Sequence, residues 1–298
     1  MNERIIPKIG FLGFGEAGFN LASGFLSEGI TGIKAFDICQ TRDEDCHKVS
    51  DKAIAAGVEL VESPEALAKS VDIIISAVVC AEAVVAAESI APYLTDQHMY
   101  VDINATAPDT KMEVADCLMD SKVKFVDAAV MGPIPNHRHK VPIMVSGTGA
   151  QSFMQLMTQY GMNLEFVEGG AGSACSVKML RSVFMKGMAA LLIEMMTAAY
   201  KFGSHETVVA TIDETLTQNT PAELIHRLIS GTAIHAARRV HEMDEVIKTL
   251  SSVDVAPIMS IATKNTLQWV DSMGLKSVFN GEMPDQYEDV LKAIIERG

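Results

Sequence analysis

The sequence predicts an α/β N-terminal domain, a doubly wound parallel sheet, followed by an all-α C-terminal domain joined to it by a long central helix. Three observations predict it. The stretch from Lys8 to Asp37 reads as strand, glycine-rich turn, helix and second strand. Short apolar runs then alternate with helical patterns as far as Val167. From Gly169 onward the strand patterns stop and only helical periods remain. Alternating strands and helices give a parallel sheet with both faces covered, and a purely helical continuation forms its own layer. The expected boundaries are residues 1–168 and 169–298, and the chain of 298 residues is long enough for two cores.

In the opening unit, Ile9 to Leu12 is an apolar run suited to a buried strand, and it breaks at Gly13-x-Gly15-x-x-Gly18. Gly13 allows the tight strand-to-helix turn. Gly15 has no side chain to keep a pyrophosphate from the backbone N–H groups of the helix N-terminus. Gly18 lets helix and strand pack closely. The helical period follows through Ala17, Leu21 and Gly24/Phe25, and the next strand ends in Asp37, 19 residues after Gly18. A carboxylate there accepts hydrogen bonds from a ribose 2′-OH. It also repels a 2′-phosphate, and Ile38-Cys39-Gln40 brings no cation, with Arg42 a few residues late. The expected cofactor is therefore NAD, with NADP the alternative. A glycine-rich turn that binds nothing is the competing reading.

The remaining elements follow in order. Val58 to Val61 is a short strand; Ser63-Pro64-Glu65 starts a helix with serine at the cap and proline in the first turn. Val71–Val79, Met99–Ile103, Val123–Val130, Val141–Ser146 and Leu164–Val167 are strands, separated by helices at Ala81–Tyr93 and Asp109–Asp120. Ligands of such sheets sit outside the carboxyl ends of the strands. The expected contacts are Gly13, Phe14, Gly15, Glu16, Ala17 and Gly18, then Asp37, Val78, Val79 and Asn104, and finally Met131 and Gly132. The loop Asn136-His-Arg-His-Lys140 is the most basic spot. It reads first as a solvated loop near the cleft and second as an attractor of anions. His137 and His139 lack a nearby acid or cysteine, so no metal site is expected.

In the second half, Ser173 to Phe202 is one helical pattern of 30 residues, about 45 Å long. It is apolar nearly all round, which predicts a buried helix. Lys178, Ser182 and Lys186 recur on one face with Arg181 alongside. A lysine just past a glycine run is placed to meet a cleft, although a lysine snorkelling to the surface is the competing reading. Further helices are expected at His205–Leu216, Pro221–Leu228, Ala233–Leu250, Pro257–Met273 and Tyr287–Arg297. A long apolar helix needs a partner surface, which points to a homodimer.

Composition narrows the function classes. The net charge of −14 argues against nucleic acid and against anionic membranes as partners. Met188 to Tyr200 is the most apolar stretch, is cut by Glu194, and is too short to span a bilayer. The N-terminus, Met-Asn-Glu-Arg, carries no apolar signal core. Five cysteines lie scattered without a CxxC pair, as reduced thiols of a cytoplasmic protein do.

Four segments resemble the β-hydroxyacid dehydrogenase family, which includes 3-hydroxyisobutyrate and 6-phosphogluconate dehydrogenases. They are Ile9 to Gly18; Asp102 to Pro108, similar to D-x-S-T-x-x-P; Phe125-Val-Asp-Ala-Ala-Val-Met-Gly132, similar to D-A-P-V-S-G-G; and Gly170-Ala-Gly172 followed by Lys178. The resemblance implies a Rossmann domain and reversible hydride transfer between NAD(P) and a small hydroxy acid. It implies Lys178 as general acid and base, Met131, Gly132 and Ser182 at the substrate, and Arg181, Arg238 and His241 as anchors for a carboxylate-bearing substrate. For Arg238 and Arg239, ion pairs with Glu242 or Asp244 are the competing reading.

The departures are specific. Met131 stands where the family has serine, and Pro133 where it has glycine. Met-Leu-Arg181-Ser182 replaces the family's asparagines, and His241 stands near its second lysine. This pattern is similar to a phosphogluconate-dehydrogenase-like branch whose C-terminal domain has no settled function. Two alternatives stay open: an imine reductase on the same plan, in which the family lysine is typically replaced, and a non-catalytic NAD-binding protein.

Overall fold

A computed structural model describes residues 6–41 and 46–298. Arg42, considered above for a 2′-phosphate, lies outside the described residues. The chain divides into two compact units, Met1–Ser182 and Val183–Gly298.

The first unit is an eight-stranded sheet: β1 Ile9–Leu12, β2 Lys34–Phe36, β3 Glu59–Leu60, β4 Ile73–Ser76, β5 Met99–Asp102, β6 Lys124–Val130, β7 Pro142–Ser146 and β8 Asn163–Phe166. Their order is β3-β2-β1-β4-β5-β6-β7-β8. Every pairing is parallel except β6 with β7. Adjacent strand residues point to opposite faces, so a strand covered on both sides must be apolar at every position. Phe11, Ile73, Ile75, Val101 and Val126 enter one core with Leu21 and Phe25 of helix Glu16–Ser27. Their neighbours Leu12, Ile74, Tyr100 and Phe125 enter the other, with Leu67, Ala87 and Val114. Strand order reverses between β1 and β4, and the crevice of such a sheet opens at that point. The helix start read at Ser63 is present, its hydroxyl accepting the Ala66 N–H at 3.1 Å with Pro64 in the first turn.

The basic loop lies between β6 and β7, as expected, and carries structure of its own. It winds into two short helical turns, Ile134–His137 and Arg138–Lys140, packed on the helix Glu16–Ser27. His139 is buried against Phe25, and Lys140 pairs with Glu28 at 2.8 Å. Gly24 makes this possible, because a Cβ there would lie 2.1 Å from the His139 ring. Asn136, His137, Arg138 and Lys140 stay exposed, as a solvated loop requires, and His139 alone is buried.

The second unit is helical: His205–Thr217, Pro221–Ser251, Ile258–Ser272, Leu275–Val278 and Tyr287–Arg297. Pro221–Ser251 is one helix of 31 residues where two were expected. Gly231 is buried within it, so tertiary packing outweighs the modest helical cost of a glycine. Ala233 and Ala236 meet Val270, Met273, Leu275 and Val290 in its core.

The helix Ser173–Lys201 runs through the boundary between the units. It is not the buried rod its composition suggested: Leu180, Val183, Phe184, Ile193 and Tyr200 are 62–73% exposed. An apolar residue on every face does not bring a neighbour to every face: among the described residues the helix is buried at its first turn, at Ala174 and Cys175, and again at Glu194, Ala198 and Ala199. At 29 residues with a mean hydropathy of 1.4 in its most apolar window, it has the length and composition to cross a membrane, as core helices of soluble proteins also do. The interruption at Glu194 thus shortens the span less than the sequence suggested. Glu194 has a local task instead. It accepts the N–H groups of Met259 (2.6 Å) and Ser260 (3.0 Å) and the Ser260 hydroxyl (2.7 Å), closing the N-terminus of Ile258–Ser272.

Burial pushes the Glu194 carboxyl up, but the hydrogen bonds from Ser260, Met259 and Ile258 outweigh it, and the net value lies below the ordinary one. Its stabilisation is therefore complete above the ordinary glutamate range and is lost as pH falls through the lowered native value. Glu194→Ala is expected to cost about 1–3 kcal/mol at neutral pH. Denaturation midpoints of variant and parent should converge in acid.

Candidate functional site

The glycine-rich turn follows β1 at the reversal of strand order. Gly13 has φ +90°, and a Cβ there would lie 2.6 Å from the Ala77 carbonyl oxygen at the end of β4. A Cβ on Gly18 would meet the Gly13 oxygen at 3.0 Å and the Phe14 ring at 3.2 Å. Gly15 is different, with nothing within 4 Å of an added Cβ. It therefore keeps open space in front of the N-terminus of helix Glu16–Ser27, where backbone N–H groups favour an anion. The residues present fit the pyrophosphate of a dinucleotide.

Asp37 closes the turn from β2. One carboxylate oxygen accepts the Phe14 N–H at 2.7 Å and the other the Cys39 N–H at 2.8 Å. A carboxylate has about four acceptor positions, so these two bonds do not exhaust it. The Phe14 side chain is buried against Phe11, and only its backbone faces the turn.

A cavity of about 480 Å³ lies along the carboxyl edge. Glu16, Ala17, Val78, Val79, Asn104, Gly132 and Lys178 line it, together with Cys80, Ile134 and Pro135. Seven sequence-selected residues from five separate segments thus meet in one place. Asn104 fixes two of those segments: its side-chain oxygen accepts the Val78 N–H (2.8 Å) and its amide donates to Ser76 Oγ (3.0 Å). Met131 and Arg181 border a neighbouring cavity with Met144 and Glu165. There the Arg181 guanidinium donates to the Met131 carbonyl at 3.3 Å.

Three selected residues stand elsewhere. The Ser182 hydroxyl donates to the Lys178 carbonyl at 2.9 Å, a bond within its own helix. Arg238 and His241 belong to the second unit, and Arg238 pairs with Glu242, the competing reading of its charge. Arg239 donates to the Thr232 hydroxyl.

Lys178 is half-buried at the cavity wall, and its amine is held below the ordinary lysine value. Burial is the largest cause, and the charge of Lys111 is the next. Arg181 is exposed and turned to Met131. Composition gave no sign of Lys111, which is fully buried in helix Pro108–Cys117. Its Nζ lies 3.0 Å from Asp102 and 3.7 Å from Asp127, and it donates to the Asp102 carbonyl at 2.8 Å. The signal was present but unread: two apolar strands each carry an aspartate at the same register, Asp102 opposite Asp127.

Residues 8–167 match the family described as the NAD binding domain of 6-phosphogluconate dehydrogenase. Residues 199–270 match a family described as Domain of unknown function (DUF1932). The chain is 30% identical over 264 residues to an "Uncharacterized 28.5 kDa protein in 7S RNA 5'region" of Methanothermus fervidus, covering 89% of this chain and 99% of that one. It is 26% identical to the mitochondrial 3-hydroxyisobutyrate dehydrogenase of Drosophila melanogaster, over 75% of this chain and 68% of the relative. A solved structure described as similar to 3-hydroxyacid dehydrogenases superposes with a TM-score of 0.62 at 31% identity, covering 92% of this chain and 98% of the other. An imine reductase from Pseudomonas sp. shares the fold, with a TM-score of 0.73 at 16% identity over 97% of this chain and 100% of the reductase.

Gly15→Ala is expected to leave the thermal midpoint within about 2 °C of the parent and to weaken NADH binding by about tenfold or more. Gly13→Ala, forced against Ala77, should lower the midpoint itself. Calorimetry and NADH fluorescence titration separate the two.

Proposed function

The chain belongs to the family of the NAD-binding domain of 6-phosphogluconate dehydrogenase, and on that premise we propose that it is an oxidoreductase that moves a hydride between NAD and a small hydroxy acid. The observation that carries this reading is Lys178 in the wall of the same cavity as the glycine-rich helix start and Asn104. Bound nicotinamide dinucleotide supplies the hydride acceptor, or the donor in the reverse direction. The chain's part is binding and proton transfer. Gly15 and the first turn of helix Glu16–Ser27 bind the pyrophosphate, and Asp37 takes the ribose hydroxyl. Lys178 Nζ removes the substrate hydroxyl proton as the carbinol is oxidised and returns it on reduction. An ordinary lysine is a weak base near neutrality, so its lowered value suits that task. Arg181, beside Met131, offers a guanidinium for a substrate carboxylate.

Asp37 supports NAD over NADP, since a second negative charge there would be repelled. Retention of Lys178 favours the hydroxy-acid reading over an imine reductase. The exposed apolar residues of Ser173–Lys201 support a homodimer, which would remove them from water. Soluble chain at micromolar concentration is expected to sediment as a dimer; a monomer would remove that part of the reading.

A panel of small hydroxy acids and one cyclic imine, each with NAD(H) and NADP(H), tests the whole. Turnover of a hydroxy acid supports the proposal, and reduction of the imine alone overturns it. Lys178→Ala is expected to lower kcat by about a hundredfold or more with NADH binding intact. Asp37→Asn, which keeps an acceptor for the turn, should narrow the preference for NAD over NADP; an unchanged ratio would reassign the ribose contact.

A further inference from the structure

The buried cluster behind the cavity bonds mainly to one thing, the first turn of the helix that carries Lys178. Asp127 Oδ2 accepts the N–H groups of Gly172 (3.1 Å) and Cys175 (3.0 Å). Ser146 Oγ accepts the Ala174 N–H at 2.9 Å and donates to the Gly170 carbonyl. The Cys175 thiol donates to the Thr106 carbonyl. Lys178 lies three residues beyond Cys175 on the same helix, so these bonds fix where its side chain leaves the backbone. Lys111 holds the other end of the arrangement. It is the cation that lets Asp102, the last residue of β5, and Asp127, in the middle of β6, stand side by side, with side-chain exposures of 1% for the lysine and 0% for each aspartate.

We propose that Lys111, clamped by Asp102 and Asp127, is a positioning residue for Lys178: it secures the start of the helix and keeps a fixed buried cation behind the Lys178 amine. The inference rests on the proposed role of Lys178. The groups that face Lys178 are Lys111 from helix Pro108–Cys117, Cys175 from its own helix, Cys80 after β4 and Asp127 from β6, with Glu16 in the same cavity wall. Cys175, Cys80 and Asp127 favour the charged amine; Lys111 opposes it.

The test is competitive acetylation of the full chain with acetic anhydride across a pH series, read by peptide mass spectrometry. Exposed Lys186, two turns along the same helix, serves as the internal reference. In the parent, Lys178 should become reactive at lower pH than Lys186. In Lys111→Met the Lys178 curve should move up toward that of Lys186, with about tenfold less labelling at pH 8, and Lys111→Arg should restore the parent curve. If Lys111→Met alone does not fold, Asp102→Asn/Lys111→Met removes the buried carboxylate with its cation and carries the same comparison. An unmoved Lys178 curve in a folded variant overturns the proposal. Labelling needs no turnover, so a shifted curve in a protein inactive on every hydroxy acid would sink the enzymatic reading and leave this inference standing.

Discussion

Asp127 interrupts the apolar run of β6 at its middle and gives one carboxylate oxygen to the N–H groups of Gly172 and Cys175. The first four N–H groups of a helix have no partner in the helix itself, and their dipoles favour a negative charge. Here the charge is supplied by a strand residue 45 positions earlier. Much else follows from that bond. It sets the start of a 29-residue helix against the sheet, and so it sets the direction in which Lys178 projects. A Cβ on Gly172 would sit 3.1 Å from the Pro108 carbonyl, so the same junction tolerates no bulk.

Placing two carboxylates next to each other in a dry interior is costly, and the cluster shows the strain of it. Burial pushes the Asp102 carboxyl up, with Lys111 acting against that and Asp127 adding to it. Among the described residues, Asp102 Oδ2 and Asp127 Oδ1 accept no hydrogen bond, although Lys111 Nζ lies 3.7 Å from the latter. A single lysine offsets the pair. Its effect extends past the cluster, because the like charge that eases Asp102 also opposes protonation of Lys178. The same cation therefore connects the packing of the strand ends with the chemistry available in the cavity.

The two ends of the cavity are built on different principles. At the nucleotide end, selection is by absence: Gly15 presents no side chain, and Gly13 and Gly18 permit close approach. At the Lys178 end, selection is by buried charge. Asn104 spans the distance between them, bonded to β4 through Ser76 and to the following segment through Val78.

How much of this was legible depended on the range of the interaction. The turn Gly13-x-Gly15-x-x-Gly18, Asp37, the strand runs and the cap at Ser63 are local, and each reports its own conformation. Lys178 was singled out from its position after the glycine run and from its resemblance to a known motif, and it lines the cavity. Lys111 was not found, because a lysine in a short polar helix looks solvated until the sheet closes over it. The break expected between Leu228 and Ala233 does not occur, for the same kind of reason: Ala233 and Ala236 are held by Val270, Met273, Leu275 and Val290 from elsewhere in the chain. The burial of His139 within the basic loop was not legible, because Gly24 and His139, 115 positions apart, fit each other only once the chain is folded. The apolar length of Ser173–Lys201 was plain from its residues, yet which of its faces is covered was decided by neighbours. The sequence by itself therefore determined periodicity, turns and the glycine cradle, since those arise within a few residues. Tertiary structure alone decided which charges are buried together, since a charge is buried only by residues far from it along the chain.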